Sequence, residues 1–92
     1  MKMLMAIVQD QDAGRVADAL VANEFRVTRI NAAGGFLRRG NAILLVGVDD
    51  EKVDDAIEVI DRNSQSRPVS EAGVTIGAGT VFVLNVGTFV RV

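Results

Sequence analysis

The feature that most constrains the fold is the order in which strand and helix patterns alternate along the chain. Residues 3–8 form a continuous apolar run between polar residues, which is typical of a buried strand. An amphipathic helical pattern, two further strand patterns, a second helical pattern and a last strand follow it. This β-α-β-β-α-β order predicts a ferredoxin-like α+β sandwich, an antiparallel sheet with two helices on one face.

Apolar residues at helical spacing define the two predicted helices. We expect Asp10 or Asp12 to cap the first helix, which ends near Asn23. Asp49 and Asp50 begin the second helix, where their charges favour its positive end. The predicted apolar stripes are Ala13, Val16, Ala17, Leu20 and Val21 in the first helix and Val53, Ala56, Ile57 and Ile60 in the second, with Asp54, Asp55, Glu58 and Asp61 facing water.

The remaining segments are predicted to be strands and loops. Apolar and polar residues alternate over 25–30, which indicates a strand with one wet face that pairs with the apolar strand over 41–48 as an antiparallel ribbon. Residues 62–79, which contain several Ser, a Gln, Pro68 and three glycines, are predicted to be a loop containing a short edge strand at 74–76. A final strand covers 80–86, and residues 88–92 form a short strand or an interface arm.

Two helices can cover only one face of such a sheet. The other face is predicted to carry alternate apolar residues such as Ile43, Leu45 and Val48. Hydrophobic residues make up 49% of the 92, more than one small domain hides in its own core. We therefore expect residues 1–92 to form a single domain that assembles with copies of itself, as a cyclic trimer or a back-to-back dimer.

The composition argues against catalysis. The chain has no Cys, which rules out disulfides and thiolate metal sites, and no His, the usual acid–base catalyst near neutral pH. Asp54 and Glu58 share a helix face, but on a solvated side where acidic pairs serve solubility. The apolar start of the chain is too short to cross a membrane and no cleavage site follows, which predicts a cytoplasmic protein without a membrane partner.

Charge is distributed unevenly along the chain. The net charge is −2, yet no Asp or Glu lies between Phe25 and Val48, a stretch that carries Arg26, Arg29, Arg38 and Arg39. An acidic protein with one basic segment can attract an anion locally without being a general binder of nucleic acid. The alternative is that these arginines only increase solubility.

The connection between the two middle strands combines glycines, an aromatic residue and arginines. Gly34, Gly35 and Gly40 permit positive φ and close approach of a ligand to the backbone, where successive N–H groups can bind an anion. Phe36 offers a ring on which a base can stack, and Asn41 offers an amide for an adenine edge.

The strand that leads into this connection adds polar groups. Arg26 and Thr28 stand on its polar face, and a guanidinium beside a hydroxyl suits a phosphate. The combination indicates a purine with a phosphate as ligand. Each part also has an ordinary explanation: glycines for a turn, Phe36 as a plug between subunits and Asn41 as a turn residue.

Several stretches of the sequence resemble the PII-like cyclic di-AMP receptors, small cytosolic bacterial signalling proteins. They are AIVQDQD on the first strand, GGFLRRGNAILLVGVDDEKVDDAIEVI through the second helix, and TVFVLNV on the last strand. The resemblance is collinear over nearly the whole chain. It implies a ferredoxin-like homotrimer that binds cyclic di-AMP in each cleft between neighbouring subunits, with no cofactor besides this ligand.

The resemblance also implies which residues contact the ligand. All seven matching positions carry the residue type expected, and the residues alone had indicated five of them. By role they are the phosphate contacts Arg26 and Thr28, the turn residues Gly35, Phe36 and Leu37, and the adenine contacts Asn41 and Gly47.

One segment departs from the receptor pattern. The receptors carry a long loop between the second helix and the last strand that orders around the ligand, whereas residues 62–79 are short. TIGAGTVFV is similar to the loop of classical PII proteins in which G-x-G-K holds ATP phosphates. Here Thr80 stands at the Lys position and only Arg91 remains of the following arginine pair, so a classical ATP site is poorly supported.

Two functions follow from these observations. The first is a PII-like signal-transduction protein that binds cyclic di-AMP in the intersubunit cleft of a trimer. The alternative is a PII-like interaction module that binds no ligand, or another adenine nucleotide, and presents Arg38 and Arg39 to a protein target. Both functions have an unidentified downstream protein target, and neither requires an enzyme.

Overall fold

The computed structural model describes residues 1–30, 40–64, 67–69, 74–76 and 79–92 of the chain. Those residues form two α-helices, a short 3₁₀ turn at Asp50–Lys52 and six strands. The helices are α1 (Asp10–Ala22) and α2 (Val53–Arg62). The strands are β1 (Lys2–Gln9), β2 (Arg26–Ile30), β3 (Asn41–Val48), β4 (Arg67–Val69), β5 (Val74–Ile76) and β6 (Gly79–Asn85).

Four of the strands form one antiparallel sheet in the order β2-β3-β1-β6. This small α+β arrangement, with β1 and β3 in the centre, is compatible with the ferredoxin-like fold predicted from the sequence. The predicted pairing of the two middle strands is confirmed, with Arg26 opposite Gly47 and Ile30 opposite Ile43. Residues 86–92 form neither helix nor strand, so of the two alternatives for 88–92 the short strand is wrong and the interface arm stays a prediction.

The predicted loop over 62–79 contains more regular structure than expected. Helix α2 continues to Arg62, and β4 pairs with β5 as a separate antiparallel ribbon. A strand at 74–76 is therefore confirmed, but it lies outside the main sheet rather than at its edge. The ribbon was missed because three-residue strands are too short for an alternating pattern to be recognised.

The core lies between the two helices and one face of the sheet. Leu4, Ala6 and Val8 of β1 project into it and are almost completely buried, because alternate residues of a strand point to the same side. The other buried apolar residues of this cluster are Ala42, Leu44, Val46 and Val48 of β3, Ala13, Val16 and Leu20 of α1, and Ala56, Val59 and Ile60 of α2.

Two predictions about the core are wrong in detail. Val48 was expected on the bare face with Ile43 and Leu45, yet it is 3% exposed in the core. An even-numbered residue of β3 cannot share a face with odd-numbered ones, since the side chains of a strand alternate. Val21 was expected on the stripe of α1 but is 61% exposed, because only part of the helix faces the sheet.

Helix α1 begins differently from the prediction but ends where it was predicted to end. The helix begins at Asp10, with Gln9 at the N-cap position and no side-chain cap, so Asp10 and Asp12 lie in the first turn instead of capping it. Carboxylates there still favour the positive end of the helix. At the other end, Glu24 adopts φ 68° and the Phe25 N–H donates to the Leu20 carbonyl at 2.9 Å. This closes the helix in a manner usually reserved for glycine.

Candidate functional site

The candidate site lies on the face of the sheet that no helix covers, which we call the open face. Antiparallel register places even residues of β2 and β6 beside odd residues of β3 and β1 on this face. Three successive rows cross it. They are Arg26–Gly47–Met3–Leu84, Thr28–Leu45–Met5–Phe82 and Ile30–Ile43–Ile7–Thr80.

Arg26, Thr28 and Gly47 come together at one corner of the open face. Arg26 is directly opposite Gly47 in the β2–β3 pair, and Thr28 is the next residue of β2 on the same face. Both polar side chains are exposed. A guanidinium and a hydroxyl two residues apart on one strand face have the chemistry and the spacing to contact one phosphate group; that they do so stays a prediction.

Gly47 leaves space beside the Arg26 side chain. A Cβ atom at this position would lie 3.2 Å from Cε of Met1, the movable end of a long side chain. The strand therefore does not need glycine to avoid a backbone clash. The absence of a side chain instead gives room to the end of the Met1 side chain, and a ligand that contacts Arg26 would reach the backbone of β3 by displacing it.

Asn41 lies on the open face but at the opposite end of β3. It pairs with Gln9 of β1 and is half-buried. It is six positions from Gly47, which corresponds to about 20 Å along a strand. One chain thus presents its predicted contacts as two groups on one face: Arg26, Thr28 and Gly47, which we call the polar corner, and Asn41.

The turn residues Gly35, Phe36 and Leu37 lie outside the described residues, as do Arg38 and Arg39. The described part of the connection resumes at Gly40, which has φ 90°. The prediction that Gly40 uses positive φ is therefore confirmed, and a side chain there would be strained. The carbonyl of Gly40 accepts a hydrogen bond from the Asp10 N–H at 2.7 Å, which ties the start of β3 to the start of α1.

The arginines of the basic segment do not all face the same way. Arg29 is paired with Leu44, so it points to the helix side of the sheet, away from Arg26 and Thr28. Its guanidinium lies 3.5 Å from the Asp10 carboxylate in a partly exposed ion pair. Arg29 therefore connects β2 to α1, whereas Arg26 remains on the open face.

An exposed aromatic residue on the open face was not selected from the sequence. Phe82 of β6 is 45% exposed and lies in the same row as Thr28, Leu45 and Met5. The alternation in TVFVLNV carries the signal that would have identified it, because Phe82 and Leu84 have the parity that faces away from the core residue Val81. Its ring is available to a neighbouring chain or to a flat ligand.

A groove of about 600 Å³ borders the polar corner at the end of the sheet. Arg26 and Gly47 contribute to its lining, together with acidic and basic side chains from the adjoining helices and turns. Carboxylates are numerous there, so the groove as a whole does not favour an anion. The charged residues among those that line it are Glu24, Arg26, Asp49, Lys52, Asp55, Glu58 and Arg62.

The amino-terminal group forms an ion pair at this end of the sheet. The amino group of Met1 lies 2.9 Å from Oδ1 of Asp50. The hydrogen bond and the positive charge of that amino group lower the pKa of Asp50 below its ordinary value of 3.8. Asp50 is thus ionised throughout the neutral range and holds Met1 over Gly47.

The described residues were also searched for metal ligands and membrane spans. Within them, no group of three or more His, Cys, Asp or Glu side chains is arranged to hold a metal ion. No helix among them is both long enough and apolar enough to span a lipid bilayer.

Two comparisons with known proteins bear on this arrangement. A family model described as cyclic-di-AMP receptor matches residues 1–70, which include all seven predicted contact residues. The fold also matches the crystal structure of a functionally unknown protein from Pediococcus pentosaceus ATCC 25745, with a TM-score of 0.80 and 35% sequence identity. The match covers 99% of this chain and 96% of that one.

Proposed function

The chain belongs to the cyclic-di-AMP receptor family, and from this premise we propose that it is a signal-transduction protein that binds cyclic di-AMP between the subunits of a homotrimer. The family match over residues 1–70 is the observation that carries the proposal, because it spans every residue assigned to the ligand. The proposed domain comprises residues 1–92 and acts in the cytoplasm on a protein target, not on nucleic acid or membranes.

The open face supports the assembly part of the proposal. Met3, Met5, Ile7 and Leu45 form its apolar centre, and Phe82 and Leu84 on the edge strand are 45% and 46% exposed. Burial of apolar surface contributes about 25 cal/mol per Å², so covering this face with neighbouring copies is favourable. A neighbour that covers the centre leaves the polar corner at the edge of the contact, where a ligand can enter.

The distribution of predicted contacts supports a ligand shared between chains. Arg26 and Thr28 would hold the phosphates, and Gly47 would allow close approach beside them. Asn41 lies about 20 Å from Gly47 on the same strand. A cleft between two copies can bring the Asn41 end of one chain to the polar corner of another, with Gly35, Phe36 and Leu37 completing the ligand site.

Binding alone is sufficient for a signal. A ligand that binds two conformations with different affinities shifts their populations, and no bond in the ligand needs to break. The receptor family is one of binding and signalling proteins, and the described residues of the site offer a guanidinium, a hydroxyl, an amide and exposed backbone. These groups bind and orient a nucleotide; we assign no catalytic role to any of them.

Calorimetric titration with cyclic di-AMP, ATP and AMP, together with the mass of the protein in solution, tests the proposal. We expect submicromolar binding of cyclic di-AMP, which corresponds to a binding free energy beyond about −8 kcal/mol, and a mass of three chains. Asn41→Ala and Phe36→Ala should abolish that affinity. Binding of none of the three nucleotides would favour the interaction module, and tighter binding of ATP or AMP would identify another adenine nucleotide as the ligand.

A further inference from the structure

The start of α1 contacts the candidate ligand strand directly. The Asp10 N–H donates to the Gly40 carbonyl at 2.7 Å, and Gly40 immediately precedes Asn41. Gln9, the residue before α1, is paired with Asn41 in the sheet. A displacement of the backbone at Asn41 would therefore change the hydrogen bond made by Asp10, the first residue of the helix.

An ion pair with a buried carboxylate lies two residues further along α1. Asp12 is 0% exposed, and its Oδ1 accepts a hydrogen bond from a terminal nitrogen of Arg15 at 2.9 Å. The two residues are three apart and so lie on the same side of the helix. A buried carboxylate is costly unless it is paired and hydrogen-bonded, so the position of Arg15 is fixed by Asp12 although its side chain is 47% exposed.

The guanidinium of Arg15 also contacts the end of the other helix. Its Nε donates to the carbonyl of Asn63 at 3.1 Å, and Asn63 is the C-cap residue of α2. The side chains of Asn63 and Ser64 donate to the carbonyls of Val59 and Ile60 at 2.8 and 2.7 Å. The rigid guanidinium of Arg15 thus holds a buried carboxylate of α1 and the end of α2 at the same time.

The end of α2 borders a groove with the chemistry of a docking surface. Ser64 is part of the lining of a groove of about 410 Å³ between α2 and β6, in which Ile57, Ile60 and Val81 contribute apolar surface. The charged residues that line it are acidic: Asp54, Glu58 and Asp61. A change in how α2 ends would alter one wall of this groove.

We propose that Asp10, Asp12 and Arg15, which we call the α1 joint, couple the ligand side of the sheet to the C-terminal end of α2. The inference rests on the proposed function, since cyclic di-AMP supplies the displacement at Gly40 and Asn41. Ligand binding then changes the strength of the hydrogen bond from Arg15 to the Asn63 carbonyl. The groove beside α2 changes shape in response and binds a basic, apolar segment of the target with altered affinity. If the ion pair only stabilised the fold, the ligand would not change amide exchange at the end of α2.

Arg15→Lys separates coupling from folding. Lysine keeps a positive charge for the buried Asp12, but its single ammonium cannot reproduce the fork that also reaches Asn63. Arg62→Ala is the matched control, because Arg62 lies at the same end of α2 and makes an exposed ion pair with Glu58 at 3.9 Å, outside the joint. Both variants are expected to fold, which circular dichroism checks before any comparison.

Hydrogen exchange with and without cyclic di-AMP provides the readout. In the unaltered protein we expect the ligand to change amide exchange at Asn63 and Ser64 by about fivefold or more, a typical allosteric coupling. Arg15→Lys should lose this response, and Arg62→Ala should keep it. A response that survives in Arg15→Lys, or no response in an unaltered protein that binds the ligand, would overturn the proposal.

A second hydrogen-exchange experiment, without ligand, tests the α1 joint even if the proposed function is wrong. In the free protein, Arg15→Lys should accelerate exchange both at Asn63 and at the Asp10 amide, which donates to Gly40. Arg62→Ala should leave the Asp10 amide unchanged. If calorimetry shows no binding of cyclic di-AMP, the proposed function is wrong while this experiment still decides the joint. Acceleration at Asn63 with no change at Asp10 would show that the two ends are uncoupled.

Discussion

The two faces of the central sheet are built from the same strands yet differ in how completely one chain finishes them. On the helix face, Leu4 and Leu44 are 0% exposed. On the open face, their sequence neighbours Met5 and Leu45 are half-buried, and Phe82 is 45% exposed. The helix face carries the stability of the single chain. The open face combines unfinished apolar surface with a polar corner, which is what an intersubunit ligand site requires.

The comparison predicts its largest effect for two adjacent leucines. Leu44→Ala should lower the free energy of unfolding by about 2–5 kcal/mol, because it leaves a cavity in the core. Leu45→Ala removes the same atoms from the open face and should cost less in the single chain. Urea unfolding at several protein concentrations provides the measurement.

Concentration dependence distinguishes the two faces in that experiment. If copies cover the open face, the cost of Leu45→Ala should vary with protein concentration, since assembly stabilises by mass action. The cost of Leu44→Ala should arise mainly within each chain. Equal and concentration-independent costs at both positions would contradict the view that the open face is completed by neighbours.

Two arginines of β2 sharpen the comparison for the ligand. Arg26→Ala should weaken cyclic di-AMP binding by about 10- to 100-fold, since a hydrogen bond to a charged group contributes about 1.5–3 kcal/mol. It should also flatten the dependence of affinity on salt. Arg29→Ala is the control, because Arg29 faces the helix side and pairs with Asp10. Calorimetry at two salt concentrations measures both; equal losses would place the phosphates away from Arg26.

Gly47→Ala tests a smaller effect on the open face. The new methyl group would meet only the movable end of Met1, so the free energy of unfolding should change by no more than about 1 kcal/mol. Cyclic di-AMP affinity should nevertheless fall, because the methyl group occupies the space beside Arg26. Thermal unfolding and calorimetry on the same sample separate the two. An unchanged affinity would show that the ligand does not approach β3 here.

The smallest expected effect concerns pH at the end of the sheet where both faces terminate. The pKa of Asp50 is lowered by the Met1 amino group, so the folded state binds the proton less readily than the unfolded chain. Its stabilising contribution is present above the ordinary carboxyl pKa of 3.8 and is lost as pH falls through the lower folded value. Carboxyl NMR titration should show this midpoint below 3.8, and acetylation of the amino group should return it towards normal. A midpoint unaffected by acetylation would assign the shift to another cause.

The predictions from sequence succeeded where a local pattern has a single structural solution. The strand over 41–48 was placed at its observed bounds, because an apolar run broken only by Gly47 lies between the turn residue Gly40 and the acidic Asp49. The solvated side of α2 was identified because its acidic residues recur at helical spacing. The α1 cap was misplaced since Gln9, a weak capping residue, occupies that position without a side-chain bond.

The candidate site was predicted in composition more than in geometry. Arg26 and Thr28 were assigned together because they alternate with Phe25 and Val27, and the register confirms that they share a face. That Gly47 lies opposite Arg26 follows only from the pairing of β2 with β3. Local sequence does not specify such long-range register, since shifting one strand by two residues preserves every alternation.

The sequence by itself determined the order of the main elements, the family and the residue types that a nucleotide would need. Tertiary structure decided which residues meet: Gly47 beside Arg26, Arg29 beside Asp10, and Arg15 between Asp12 and the end of α2. Periodicity records only whether a residue faces the core or water. The partner of a polar side chain depends on distances between segments far apart in the chain, and those distances are set by packing the whole sheet against both helices.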